Sequence, residues 1–136
     1  MIKFIPAYFS TMLVMFVLDL IWLSALAKPL YQHGIGHLTA AAPQLVYAGL
    51  FYLVYVLGLL RYALMPNIAL KGVKATFIAA VIFAFFVYAS YDFTNLALLK
   101  DWPLRLSIID IAWGMLLSGV SASAGKLVFD RFNRVL

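Results

Sequence analysis

Apolar residues run along this chain in four long blocks: roughly Phe4 to Leu26, Pro43 to Leu64, Ala75 to Leu98, and Leu104 to Phe129. Crossing ~30 Å of hydrocarbon takes about 20 helical residues, so each block predicts one transmembrane helix. Chain breakers and charges fall between them: Lys28-Pro29 with Gly34 and Gly36, then Pro66-Asn67, then Lys100-Asp101-Trp102-Pro103. The expected fold is all-α, a membrane-embedded bundle of four helices forming one domain over residues 1–136.

Composition sharpens this picture. Hydrophobic residues make up 66% of the 136, and charged residues only 11%; a soluble domain is roughly half apolar and a quarter charged. So few charges cannot cover a water-facing surface, and the partner the chain requires is the lipid bilayer. There is no cysteine, which excludes disulfides, thiol catalysis and thiolate metal sites. A cleaved signal peptide is a competing reading of the first block, with Lys3 as its basic region and Ala25-Leu26-Ala27 as a small-x-small site. Asp19 inside the block, and the block's length, favour a retained span.

The net charge of +5 does not point to nucleic acid in such a chain. It reports where the loops lie. One side of the membrane receives Lys3, Arg61, Lys71, Lys74, Lys126, Arg131 and Arg134, seven in all; the other receives Lys28, Lys100 and Arg105, three in all. The positive-inside rule then places both termini in the cytoplasm.

Three aspartates fall within the blocks: Asp19, Asp92 and Asp110. At about 1.5 Å of rise per residue, each is expected roughly 9–11 Å below the outer edge of the hydrocarbon. Burying a carboxylate there costs about 2.5–3.5 kcal/mol at a helix centre, so such residues face the bundle interior or a polar cavity. Their helical neighbours agree. Asp92 has Tyr88 four residues before it and Asn95 three after; Asp110 has Ser107 before it and Trp113 and Gly114 after. DLIW (Asp19 to Trp22) and DIAW (Asp110 to Trp113) repeat one pattern with Asp and Trp on a shared face. Because these spans are antiparallel, the two tryptophans are expected at different depths. Three converging carboxylates must share protons, hold a cation, or pair with Lys28, Lys100 or Arg105.

Other features carry less. His33 and His37 in QHGIGH have the i, i+4 spacing of two metal ligands, but Gly34 and Gly36 argue for a loop. Gly114, Ser118, Ala122, Ser121 and Gly125 in the fourth span recur at small-xxx-small spacing, suited to close helix packing within the bundle or across a homodimer. Tyr47, Tyr55 and Tyr88 suit a pocket lining or a packed core, and Trp102 and Tyr31 an interfacial belt. No GxGxxG, P-loop, HExxH or GxSxG motif is present, and no cofactor is specified.

With YDFTNLALLKDW, DLIWL and DIAWG in hand, the chain resembles the bacterial membrane proteins grouped as domain of unknown function 2177 (DUF2177). The resemblance covers nearly the whole chain. It marks Tyr91, Asp92, Thr94, Asn95, Lys100, Trp102, Asp110, Trp113 and Gly114 as characteristic positions, with Leu98 standing where the pattern has Thr. It implies a small multi-span protein, tied to lipid metabolism only by gene neighbourhood.

The function expected from these residues is a polar pocket that binds or translocates protons, a cation or an amphiphile. Its residues are Asp19, Asp92, Asp110, Tyr88, Tyr91, Thr94, Asn95, Lys100, Trp22 and Trp113, with Asn95 as hydrogen-bond partner of Asp92. The alternatives are a lipid-modifying enzyme, with an aspartate as base and Lys100 or Arg105 holding a phosphate, and a structural membrane subunit.

Overall fold

A computed structural model describes residues 2–135, with side chains to residue 133. Arg134, counted above toward the cytoplasmic charge, has its side chain outside that range. The described chain is helical, with no strand among the described residues. Four helices are long and apolar enough to cross a membrane: Phe4–Leu38, Leu45–Asn67, Lys74–Leu98 and Leu104–Asn133.

The first is longer than its hydrophobic block. It comprises α1 (Phe4–Ile21), a π-helical stretch (Trp22–Ala27), α2 (Lys28–Ile35) and a 3₁₀ turn (Gly36–Leu38). At about 1.5 Å per residue, its 35 residues make a rod of roughly 50 Å, well beyond the hydrocarbon. The loop expected around Gly34 and Gly36 is therefore helical, and the reason is packing. A Cβ on Gly34 would stand 3.0 Å from Cγ of Pro103, so glycine there lets α2 close against the start of the last helix rather than ending the helix. Pro29 occupies the first turn of α2, where its missing N–H is tolerated. The wider π turn just before it relieves the clash its ring would otherwise make with the preceding turn.

The same device recurs after α3 (Leu45–Leu59). A π-helical stretch (Leu60–Leu64) leads into a 3₁₀ turn containing Pro66 (Met65–Asn67). The remaining helices are α4 (Lys74–Leu98) and α5 (Leu104–Val135).

Helix α5 is the hub, packing most extensively on α4 and α1. Its small residues permit this. A Cβ on Gly119 would stand 2.6 Å from the Phe77 ring, and one on Gly114 2.5 Å from the Tyr88 ring. One on Gly125 would meet Thr11 Oγ1 and stand 3.1 Å from the Ala7 carbonyl. The small-residue stripe is thus spent inside one chain, where α1 and α4 approach the α5 backbone closely. Below the polar layer, Met15, Tyr55, Val56, Leu59, Ala80, Leu117 and Ala122 fill an apolar core.

Helix α3 joins this core only through its second half. Leu45, Val46 and Tyr47 are 80%, 72% and 69% exposed, and no residue from Leu45 to Val54 other than Tyr52 is even partly buried. Near the termini, Lys126 is fully buried and donates to both Asp130 oxygens (2.5 and 2.7 Å) and to the Leu70 carbonyl (3.0 Å), tying the α3–α4 connection to α5.

Gly125→Ala is expected to destabilise the bundle by about 1–3 kcal/mol through overpacking. Gly49→Ala, where a Cβ meets nothing within 4 Å, is expected to be neutral or to stabilise by about 0.5–1 kcal/mol. Thermal unfolding of both variants in mild detergent reads the opposite signs; equal effects would refute this account of α1–α5 packing.

Candidate functional site

The acids converge at the end of the bundle opposite the chain termini. Asp19, in the last turn of α1, accepts a hydrogen bond from the Tyr52 hydroxyl on Oδ2 (2.9 Å) and from the Trp113 indole N–H on Oδ1 (3.1 Å). Asp110 of α5 accepts one from the Tyr31 hydroxyl on Oδ1 (2.5 Å). Four segments meet at these two carboxylates: α1, α2, α3 and α5.

The three acids are staggered rather than level. Tyr31 stands nine residues beyond Trp22 on the α1–α2 rod and reaches Asp110, while Trp113 reaches back to Asp19. Asp110 with Asp92 thus forms one layer and Asp19 the next, nearer the termini. The stagger also corrects the expectation that the tryptophans sit apart. Trp22 rises from Asp19 as Trp113 descends from Asp110, and their rings stack between the acids with centroids 4.5 Å apart and planes at 8°.

Asp92 is the most enclosed of the three. Its exposure is 0%, and neither carboxylate oxygen has a hydrogen-bond partner. Ser107, Asp110 and Trp102 stand around it without closing a bond of acceptable geometry. Because an indole N–H only donates, the bond from Trp102 Nε1 to Ser107 Oγ (3.0 Å) uses the serine as acceptor and leaves its own O–H free to turn toward Asp92. Two adjacent carboxylates with so few donors make an environment short of positive charge.

The basic residues do not supply it. Lys28, Lys100 and Arg105 are exposed, and among the described residues the one ion pair is Lys126–Asp130, at the far end of the bundle. Neither Asp92 nor Asp110 pairs with Lys100 or Arg105, one of the alternatives the sequence left open. Long cationic side chains at helix ends reach water at no cost.

The YDFTN segment divides. Tyr91 is on the rim of the site, with its ring edge-on to Trp102 at 6.1 Å. Thr94 is exposed and turns its hydroxyl to the Ser90 carbonyl (2.6 Å). Asn95 makes no hydrogen bond to Asp92, correcting that expectation. Tyr88 lies over Gly114 and edge-on to Tyr55 (6.1 Å), whose hydroxyl shares a hydrogen bond with Ser118 (2.8 Å). Tyr47 is exposed and far from a pocket role. Sequence reasoning left Tyr31, Tyr52 and Ser118 out of the site. The spacing Ser107, Asp110, Gly114, Ser118 along one face of α5 was the available signal for the serine; nothing local marks the two tyrosines.

Three clefts flank this network. A cleft of about 360 Å³ between α3 and α4 is lined by Phe51, Val87, Tyr88, Tyr91 and Asp110. One of about 480 Å³ between α1 and α3 ends on Tyr52, the donor to Asp19. The largest, about 910 Å³, lies at the helix ends and includes Trp22, His33, His37, Asp101 and Arg105. His33 there donates from Nδ1 to the Pro29 carbonyl (2.7 Å). No group of three or more His, Cys, Asp or Glu suited to a metal occurs among the described residues.

Removing a donor from a buried carboxylate leaves its desolvation uncompensated, at about 1–3 kcal/mol. Tyr31→Phe and Tyr52→Phe are each expected to lower stability by this amount in detergent unfolding, and Thr94→Val to leave it unchanged. A fall for Thr94→Val equal to theirs would contradict the assigned donors.

The comparisons with known proteins agree with this architecture. A family model described as a predicted membrane protein, DUF2177, matches residues 4–127. No curated protein and no solved structure matches the chain. The family match takes in α1 to α4, most of α5 and the three aspartates Asp19, Asp92 and Asp110, so the chain belongs to the DUF2177 family of predicted membrane proteins.

Proposed function

We propose that this protein binds an amphiphile of the bilayer by its polar end, with the head at Asp110 and the tail in the cleft between α3 and α4. The observation that carries this reading is the position of Asp110: a carboxylate in the lining of a cleft otherwise walled by Phe51, Val87, Tyr88 and Tyr91. The first half of α3 stands away from the bundle and leaves that side of the cleft uncovered, facing the lipid if α3 spans the bilayer as its composition indicates. With the termini cytoplasmic, as the seven-to-three distribution of Lys and Arg favours, the head group sits in the outer half of a bacterial inner membrane.

The energetics favour head-group recognition. A tail moving from lipid into the cleft gains almost nothing from the hydrophobic effect, since the lipid it leaves is as apolar as the protein wall. The net affinity comes from the polar end, where a hydrogen bond to a charged acceptor contributes about 1.5–3 kcal/mol.

Binding is read by energy transfer from tryptophan to a dansyl-labelled single-chain amphiphile in neutral detergent. Asp110→Asn is expected to weaken binding about 10- to 100-fold. Val87→Trp, which fills the cleft without touching the carboxylates, is expected to abolish it, and Thr94→Val to change nothing. Binding that survives both Asp110→Asn and Val87→Trp would sink the proposal.

A further inference from the structure

The chemistry of the cleft narrows the ligand further, on the condition that the amphiphile reading holds. We propose that the cleft between α3 and α4 selects amphiphiles whose polar end is a protonated primary amine.

Three independent features of the site favour a cation. The first is the missing counter-charge. Asp110 accepts a hydrogen bond from Tyr31 on Oδ1, which leaves the carboxylate acceptor capacity toward the cleft it lines. Directly behind it, Asp92 is wholly buried with both oxygens unpartnered. Among the described residues, no lysine or arginine pairs with either acid. A neutral hydroxyl would hydrogen-bond Asp110 and leave the negative charge of the pair; a carboxylate or phosphate head would add to the repulsion. An ammonium answers both needs at once.

The second feature is the wall. Phe51, Tyr88 and Tyr91 line the approach to Asp110, and aromatic faces attract organic cations most strongly where water is excluded. An ammonium entering from the bilayer is thereby stabilised before it reaches the carboxylate.

The third is donor geometry. A carboxylate with spare acceptor capacity, such as Asp110 with its bond from Tyr31, is met best by N–H donors. A primary ammonium presents three donors, whereas a quaternary head presents none and retains only the aromatic attraction. The order of preference is therefore primary ammonium, then quaternary ammonium, then alcohol, then carboxylate. A zwitterionic aminophospholipid carries the same ammonium together with a phosphate for which the cleft holds no basic residue, so it ranks below the single-chain amine.

The test uses the full-length protein in neutral maltoside detergent. Dodecylamine at neutral pH, dodecyltrimethylammonium, dodecanol, laurate and lysophosphatidylethanolamine compete for the dansyl-labelled amphiphile. Dodecylamine is expected to compete about tenfold better than dodecanol, and laurate least well. Asp110→Asn is expected to erase the difference between amine and alcohol. Tyr91→Leu is expected to weaken both ammonium compounds while leaving dodecanol unchanged, an effect that a folding defect would not reproduce. If dodecanol or laurate competes as well as dodecylamine, the ammonium assignment falls and amphiphile binding stands. If lysophosphatidylethanolamine outcompetes dodecylamine, the single-chain ranking is wrong and a lipid head group is the source. If no amphiphile binds the wild type at all, both readings fall together.

Discussion

A carboxylate within the hydrocarbon has no water to turn to, so its hydrogen-bond donors must come from the protein itself. In this chain the donors come from other segments. Asp19 of α1 is held by Tyr52 of α3 and Trp113 of α5, and Asp110 of α5 by Tyr31 of α2. These three bonds tie four segments together around the polar end of the bundle. The apolar core below supplies close packing but little directionality, because in lipid the hydrophobic effect does not press helices together. The carboxylates and the glycine contacts of α5 therefore fix helix rotation and register between them.

Two interruptions of the helices serve the same end. The π-helical turns precede Pro29 and Pro66 and widen the helix where a proline ring would otherwise collide with the turn before it. In the first span the turn lies between Asp19 and Tyr31. It re-phases α2 relative to α1, so that one rod presents a carboxylate on one layer and a phenol to the next. It also carries Trp22, whose stack on Trp113 closes the space between the two acids.

The incomplete packing of α3 has the opposite character. Its second half is locked into the core by Tyr55, Val56 and Leu59, while its first half is exposed, with clefts on either side whose linings include Tyr52, the donor to Asp19, and Asp110. Asp92, buried with neither oxygen partnered, stands beside Asp110, which lines an aromatic cleft. Unpaired buried charge is costly, and a fold that retains it beside a lateral opening has a physical motive to accept a cationic guest from the membrane.

The sequence alone determined the four spans, because transfer into lipid depends on local composition summed over about 20 residues. It also identified the costly residues Asp19, Asp92 and Asp110, since a carboxylate in an apolar block is conspicuous whatever its partners. It did not reveal that the first helix continues through Gly34, that Lys100 and Arg105 stay with water, or that the two tryptophans stack. Nor did it mark Tyr31 and Tyr52 as donors, for neither residue differs locally from any other aromatic at a helix surface. Those outcomes depend on which way each helix is turned and how far it slides along its neighbour. Both are set by contacts between residues remote in the chain, such as Gly34 against Pro103 and Gly125 against Thr11. Hydropathy is local and survives in the sequence; the choice of a hydrogen-bond partner is a property of the packed helices, and only the tertiary structure decides it.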